Sequence, residues 1–354
     1  MSVTIKGKVE KIIIEDGNYI FTPYILDLYD NFNQEIFDSK VNTIDELQVF
    51  SNAIYDLHGQ NRPTYYFDSN SMFDISFPKL DLTRGNDVLL GFSGGLDSCY
   101  LAILLREKGY NVHLFHCKNL NSYECNLSYT VGKSFAEKLN FDFIEATFCR
   151  CVGKDNKYKQ FWEDNTCKNQ LIYALMIDIC INKGWHIVSL GDDRSMSKDR
   201  PDMTLGINST DCREVQEAFE HCAKKIFNGL NFLLIDREIN STSVNKFDRL
   251  KKLKVYDVLD LYYSCVGAGR FNQYNHKLNS NKFKVNLPAY NCGCSCAKCA
   301  THNLLMHYSN MVHYPQSFID KCWERLWNTK HGTIKALFAP EIPLEKKIDN
   351  LFRY

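Results

Sequence analysis

The stretch from Asn86 to Ser98 constrains this chain more than any other. An apolar run, Val88-Leu89-Leu90, ends in Gly91, the adjacent glycines Gly94 and Gly95 stand between Ser93 and Ser98, and a helical run follows from Cys99 to Lys108 before Gly109. A strand that feeds a helix through such a turn makes a cradle for phosphate. Glycine lets backbone N–H groups approach an anion with no Cβ in the way, and the helix N-terminus adds its partial positive charge. Ser93 and Ser98 add hydroxyl donors. The loop lacks the Gly-Lys-Ser/Thr of a Walker A loop and the spacing of a dinucleotide-binding G-x-G-x-x-G turn.

At 354 residues the chain is long enough for two domains, or for one large α/β domain with additions. Lysine plus arginine equals aspartate plus glutamate at 42 each, so no global field draws it to nucleic acid or membrane, and nucleic acid is not an expected partner. The first residues carry no apolar leader and no apolar run reaches spanning length, so a cytoplasmic protein with no membrane partner is expected. In a reducing compartment its 15 cysteines are not expected to form disulfides, and their crowding near the C-terminus points to a metal.

Residues 1–84 have a pattern of their own and are expected to form an α+β extension. Val9 to Tyr24 reads as a hairpin turning at Asp16-Gly17, and Thr43 to Glu46 as a capping box that opens a helix. From Asn86 strands and helices alternate: strands Asn111–Cys117, Phe141–Phe148, His186–Leu190 and Asn231–Asp236, with helices over Ser122–Leu139, Thr166–Asn182, Asp211–Phe227 and from Ser243. This alternation predicts a doubly wound parallel α/β sheet over residues 85–262, followed by a cysteine cluster and a helical region over 263–354. Ligands of such a sheet lie beyond the carboxyl ends of its strands, which gathers Ser93 to Ser98, Phe115, His116 and Gly191 to Asp193 around one crevice. Val152–Gln160 and Arg194–Thr210 have two readings, lids over a triphosphate or solvated loops.

Asp97, Asp192 and Asp193 suit Mg²⁺, which takes one or two carboxylates beside phosphate oxygens; Asp193 serves equally as an Asx turn or helix cap. Lys246 falls in the first turn of its helix, where its charge opposes the dipole unless an anion shares the site; a solvated lysine is the other reading. Asp211 and Glu214 make an N-cap box, which leaves Arg213 to be explained by a fork onto a carboxylate or by a purine-like face. Cys296-x2-Cys299 is a metal knuckle, with Cys265 as a third ligand and Cys292 preferred over Cys294 as the fourth, because Cys294 is one residue from Cys296. His302 is a weaker candidate. Closed four-cysteine chemistry fits structural Zn²⁺; an iron–sulfur or redox role and unliganded thiols are the alternatives.

These motifs fall in the order of one family. Gly91-Phe92-Ser93-Gly94-Gly95-Leu96-Asp97-Ser98 resembles the PP-loop of N-type ATP pyrophosphatases. Together with Leu190-Gly191-Asp192-Asp193, Asp211-Cys212-Arg213, Lys246, Tyr263-Ser264-Cys265 and the Cys292–Cys299 cluster, it resembles the 7-cyano-7-deazaguanine synthase (QueC) family over Asn86 to His302. The resemblance implies a PP-loop fold, ATP held by Ser93 to Ser98 and Lys246, zinc held by Cys265 and the later cysteines, and the Arg213 turn beside the substrate. It also implies adenylation of a 7-deazaguanine carboxylate and attack by ammonia, as in queuosine biosynthesis. The chain departs from the family in its first 84 residues, in the Val266–Asn291 insertion, in the residue added between Cys292 and Cys296, and in His116-Cys117-Lys118-Asn119. Divergent relatives occur in CBASS-type antiphage operons, where a protein amine is the acceptor; the extra segments would suit one. A tRNA thiolation enzyme of the PP-loop class and a non-catalytic nucleotide-binding module are the alternatives, and a homodimer is allowed.

Overall fold

The computed structural model describes residues 9–15, 80–81, 85–119, 123–149, 176–177, 179–180, 183–190, 227–228, 231–234, 246–263, 269–329 and 332–353. At the centre, β3 (Asp87–Gly91), β4 (Asn111–Asn119), β5 (Asp142–Cys149) and β6 (Ile187–Leu190) form an all-parallel sheet in the order β5-β4-β3-β6. Two strands add to its edges in the same sense, β1 (Val9–Glu15) beside β5 and β8 (Asn231–Leu234) beside β6. A separate two-residue pair joins β2 (Leu80–Asp81) to β7 (Phe227–Asn228). The central strands read as unbroken apolar runs because both faces are covered: Val88, Leu89 and Leu90 are all fully buried.

The chain runs outward from β3 through β4 to β5, then returns to β6 on the other side of β3. That reversal is the topological switch point, and the loop that leaves β3 there is the glycine cradle. Helix α1 (Leu96–Glu107) leaves the cradle and is buried almost all round, through Leu96, Cys99, Leu101, Ala102, Ile103 and Leu105. It ends in a Schellman turn, with Tyr110 N–H donating to Leu105 O at 3.1 Å, Gly109 N–H to Arg106 O at 3.0 Å, and Gly109 at φ +88°. Helix α2 (Tyr123–Leu139) connects β4 to β5. At the amino ends of the strands, His113 is held between Asp87 at 2.8 Å and Asp142 at 3.0 Å and stacks on Trp185.

The C-terminal part is helical: α3 (Lys246–Val255), α4 (Gly269–Phe283), α5 (Ala297–Tyr308), α6 (Gln316–Trp327), α7 (Gly332–Leu337) and α8 (Leu344–Arg353). Helix α3 packs on α1, and α5 packs on α3, α6 and α8. One apolar core runs from Val88 and Leu101 through Leu250 and Leu304 to Phe318 and Leu351, so sheet and helices are buried together.

Predicted and observed elements agree among the described residues from β3 to β6, with shifts of one to three residues at their ends, the largest at the start of α1. Residues 176–177 and 179–180 are helical, inside the expected 166–182 helix. Two expectations change. Val9–Glu15 is a strand, but it pairs in parallel with β5, from Val9 opposite Phe143 to Glu15 opposite Cys149, and so belongs to the main sheet. Phe227 begins a short strand instead of ending a helix, since the Asn-Gly that follows it favours a turn. The expected turn at Asp16-Gly17, the Thr43 capping box and the candidate lids lie outside the described residues. Leu304 lies at the shared core, fully buried. Leu304→Ala is expected to lower stability by about 2–5 kcal/mol in urea denaturation, with circular dichroism and tryptophan fluorescence still reporting one shared transition.

Candidate functional site

The cradle begins with its stem. Phe92 N–H donates to Phe115 O at 2.7 Å, and His116 Nδ1 lies 2.8 Å from Phe92 O, so the end of β4 straps the first residue after β3. The side chains of Phe115 and His116 are buried, and His116 packs with Tyr129 and Phe143. Burial and a hydrogen bond to the buried Glu145 push the Tyr129 hydroxyl up to about 12.

Gly94 adopts φ +74°, a conformation that any side chain would strain, and this turns the loop back over the helix end. Gly95 N–H donates to Ser93 Oγ at 3.2 Å, and Ser98 Oγ lies 3.2 Å from Ser93 Oγ and donates to Gly95 O at 3.1 Å. The two hydroxyls thus meet over the first turn of α1. Gly95 is its N-cap, no side chain caps the helix, and its first amides have no intrahelical partners. A Cβ on Gly95 would lie 3.2 Å from Ser93 Oγ and push the hydroxyl aside.

Asp97 stands in that first turn, with Oδ1 engaged by Arg249 Nη1. Arg249 is buried and Asp97 is about a third exposed (33%), so the pair is a half-buried tie between α1 and α3. Sequence reasoning did not single out Arg249. Its one signal is its place one turn after Lys246 on the same helix, which sets both on one face. Lys246 opens α3, one turn before Arg249, and is half-buried. Gly191, Asp192 and Arg213 lie outside the described residues, as does Cys265.

The second feature is the cysteine cluster. The sulfurs of Cys292, Cys296 and Cys299 lie within 4.8 Å of one another, and those of Cys292 and Cys296 are 3.4 Å apart. Four thiolates at about 2.3 Å from a tetrahedral zinc stand about 3.8 Å apart, so this donor set fits Zn²⁺. Cys296 N-caps α5, its sulfur accepting from Cys299 N–H. Cys294 points elsewhere, its thiol donating to Asn279 Oδ1 at 3.4 Å, and burial raises its pKa and keeps it in the donating form.

Buried asparagines hold the knuckle's backbone. Asn279 Nδ2 donates to Cys292 O at 2.8 Å, Gly293 N–H to Asn291 Oδ1 at 2.8 Å, and Asn291 Nδ2 to Asn303 Oδ1 at 2.9 Å. No sequence motif marks these three asparagines. Gly293 sits at φ +71°, and a Cβ there would come within 2.9 Å of Asn279 Cβ. His302 stands outside the three-sulfur set. Its Nδ1 faces the Tyr262 hydroxyl at 3.1 Å, while Nε2 is buried with no hydrogen-bond partner among the described residues. Burial, reinforced by the nearby cations of Lys298 and Lys246, holds its pKa well below the ordinary value, so the imidazole is neutral at pH 7.

Comparison of the chain with models of known protein families and with curated proteins gives no match. No helix among the described residues is long and apolar enough to cross a membrane.

Two outcomes test the cluster. Cys296→Ser is expected to abolish tight zinc binding in competition with a chromophoric chelator, and Cys294→Ser to leave it unchanged. Gly293→Ala is expected to cost at least about 1–2 kcal/mol from backbone strain alone, seen as a lower thermal midpoint. Asp97→Asn replaces the partly exposed carboxylate that meets the Arg249 guanidinium, and is expected to cost about 1–2 kcal/mol in urea denaturation.

Proposed function

We propose that this chain is a PP-loop ligase that uses ATP to activate a carboxylate, and that the carboxylate belongs to a 7-deazaguanine. One observation carries the reading: a loop with two glycines and two convergent serine hydroxyls, opening an uncapped helix, stands at the switch point of a parallel sheet. The order of motifs along the chain supports the QueC-like assignment.

In this reading Gly94, Gly95, Leu96 and Ser98 offer N–H and hydroxyl groups to the phosphates, and Lys246 neutralises charge at the rim. Asp192 and Asp193 would hold Mg²⁺, which would supply charge neutralisation to the phosphates, while Asp97 keeps Arg249 beside the cradle. Arg213 steadies the substrate. The carboxylate oxygen attacks the α-phosphorus, the bond to the β-phosphate breaks, and acyl-adenylate and pyrophosphate result. An amine then attacks the carbonyl, AMP leaves and a proton is released. Positioning and charge neutralisation carry most of the catalysis. Cys265 would join Cys292, Cys296 and Cys299 to hold a zinc ion, which would serve a structural role.

The test is nucleotide analysis and mass spectrometry after incubation with Mg-ATP and 7-carboxy-7-deazaguanine, adding ammonia or candidate acceptor proteins in separate reactions. AMP with a free amide or nitrile assigns a nucleobase synthase, and AMP with mass added to a protein assigns a conjugating ligase. AMP formed only with tRNA would instead make it a tRNA-modifying PP-loop enzyme. Lys246→Ala is expected to lower kcat/KM by about 10²-fold.

A further inference from the structure

We infer that Tyr263 is a positioning residue through which metal binding at the cysteine cluster sets the geometry of the phosphate cradle; the inference rests on the metal reading of that cluster. Tyr263 touches both features at once. Its backbone N–H donates to Gly94 O at 2.5 Å, and it pairs with Gly95 as an isolated parallel bridge. Its ring packs on the small cluster formed by Cys292 and Cys299, beside Cys296.

The preceding residues make this link stiff. Leu261 O accepts from the thiol of Cys99, which is fully buried on α1. Tyr262 is 1% exposed, with its hydroxyl against His302 of α5. Three successive residues are therefore tied to the cradle helix, to α5 and to the cradle loop. On the cradle side, the Gly94 carbonyl and the Gly95 amide belong to one peptide plane, and that amide donates to Ser93 Oγ, which meets Ser98 Oγ. A shift of Tyr263 thus rotates the plane that orients both hydroxyls. On the metal side, the Tyr263 ring rests on two of the three clustered sulfurs, Cys292 and Cys299. Ligation would fix those sulfurs in place and so stiffen the surface on which the ring rests.

Coupling of this kind is reciprocal: if zinc tightens nucleotide binding, nucleotide tightens zinc binding by the same factor. The experiment is amide hydrogen exchange on the full chain, with zinc removed by a chelator and then restored. Zinc is expected to slow exchange about tenfold at Tyr263, Gly95 and Cys99, within the usual range of coupling between sites, and to leave Leu89 and Val112 of the sheet unchanged. Tyr263→Ala keeps the amide donor and removes the ring, so it binds zinc and loses the zinc-dependent slowing. Tyr263→Phe keeps the ring and restores it.

Equal exchange at the three amides with and without zinc overturns the inference, as does an undiminished response in Tyr263→Ala. Loss of protection at Leu89 and Val112 on chelation also overturns it, because zinc would then support the whole fold. ATP titration of the same samples keeps the nucleotide reading separate. A roughly tenfold tighter Kd with zinc extends the coupling to ATP. No ATP binding beside an intact amide response removes the nucleotide reading and leaves the coupling standing.

Discussion

A helix buried on nearly every side still has to begin somewhere, and its first amides cannot be satisfied by the helix itself. In α1 that beginning falls at the switch point of the sheet, where the chain leaves β3 between β4 and β6. Evolution can fill such an end with a capping side chain or leave it for an anion. Here the N-cap is Gly95, and the serine hydroxyls on either side bond to each other and to the loop. The cradle is thus a consequence of burying α1, and everything that packs on α1 also fixes the cradle.

What packs there comes from far along the chain. Arg249 reaches Asp97 across a separation of 152 residues, and Tyr263 reaches Gly94 and Gly95 from the end of the same helical unit. This explains what the sequence could disclose. The cradle, the central strands and the cysteine knuckle are local patterns, each legible within about a dozen residues. The Asp97–Arg249 pair is not, because an arginine inside a lysine-rich amphipathic helix looks like any solvated cation until its partner is known. The asparagines around the knuckle are equally silent, since Asn279, Asn291 and Asn303 act on the backbone of Cys292 and Gly293, and Asn291 and Asn303 on each other. Parallel pairing of Val9–Glu15 with β5 is silent in the sequence for the same reason, because the partner strand lies far along the chain.

The crowded cysteines show how a single residue's conformation sorts equivalent chemistry. Cys292 and Cys294 flank Gly293, and both are near enough in sequence to join Cys296. The left-handed Gly293 turns the chain between them, so one sulfur joins the cluster and the other meets α4. A buried amide, Asn279, then holds both ends of that decision, donating to Cys292 O and accepting from Cys294. Asparagine can do both because its side chain carries a donor and an acceptor.

The parallel pairing of β1 with β5 has a consequence for the order of assembly. A ribosome delivers Val9–Glu15 long before Asp142–Cys149, so the segment that closes this edge of the sheet must wait for its docking partner. During that interval its backbone groups can find the wrong edge, and afterwards it shields the flank of β5 from other strands. The earliest strand in the described chain is thereby the guard of an edge that is made well after it.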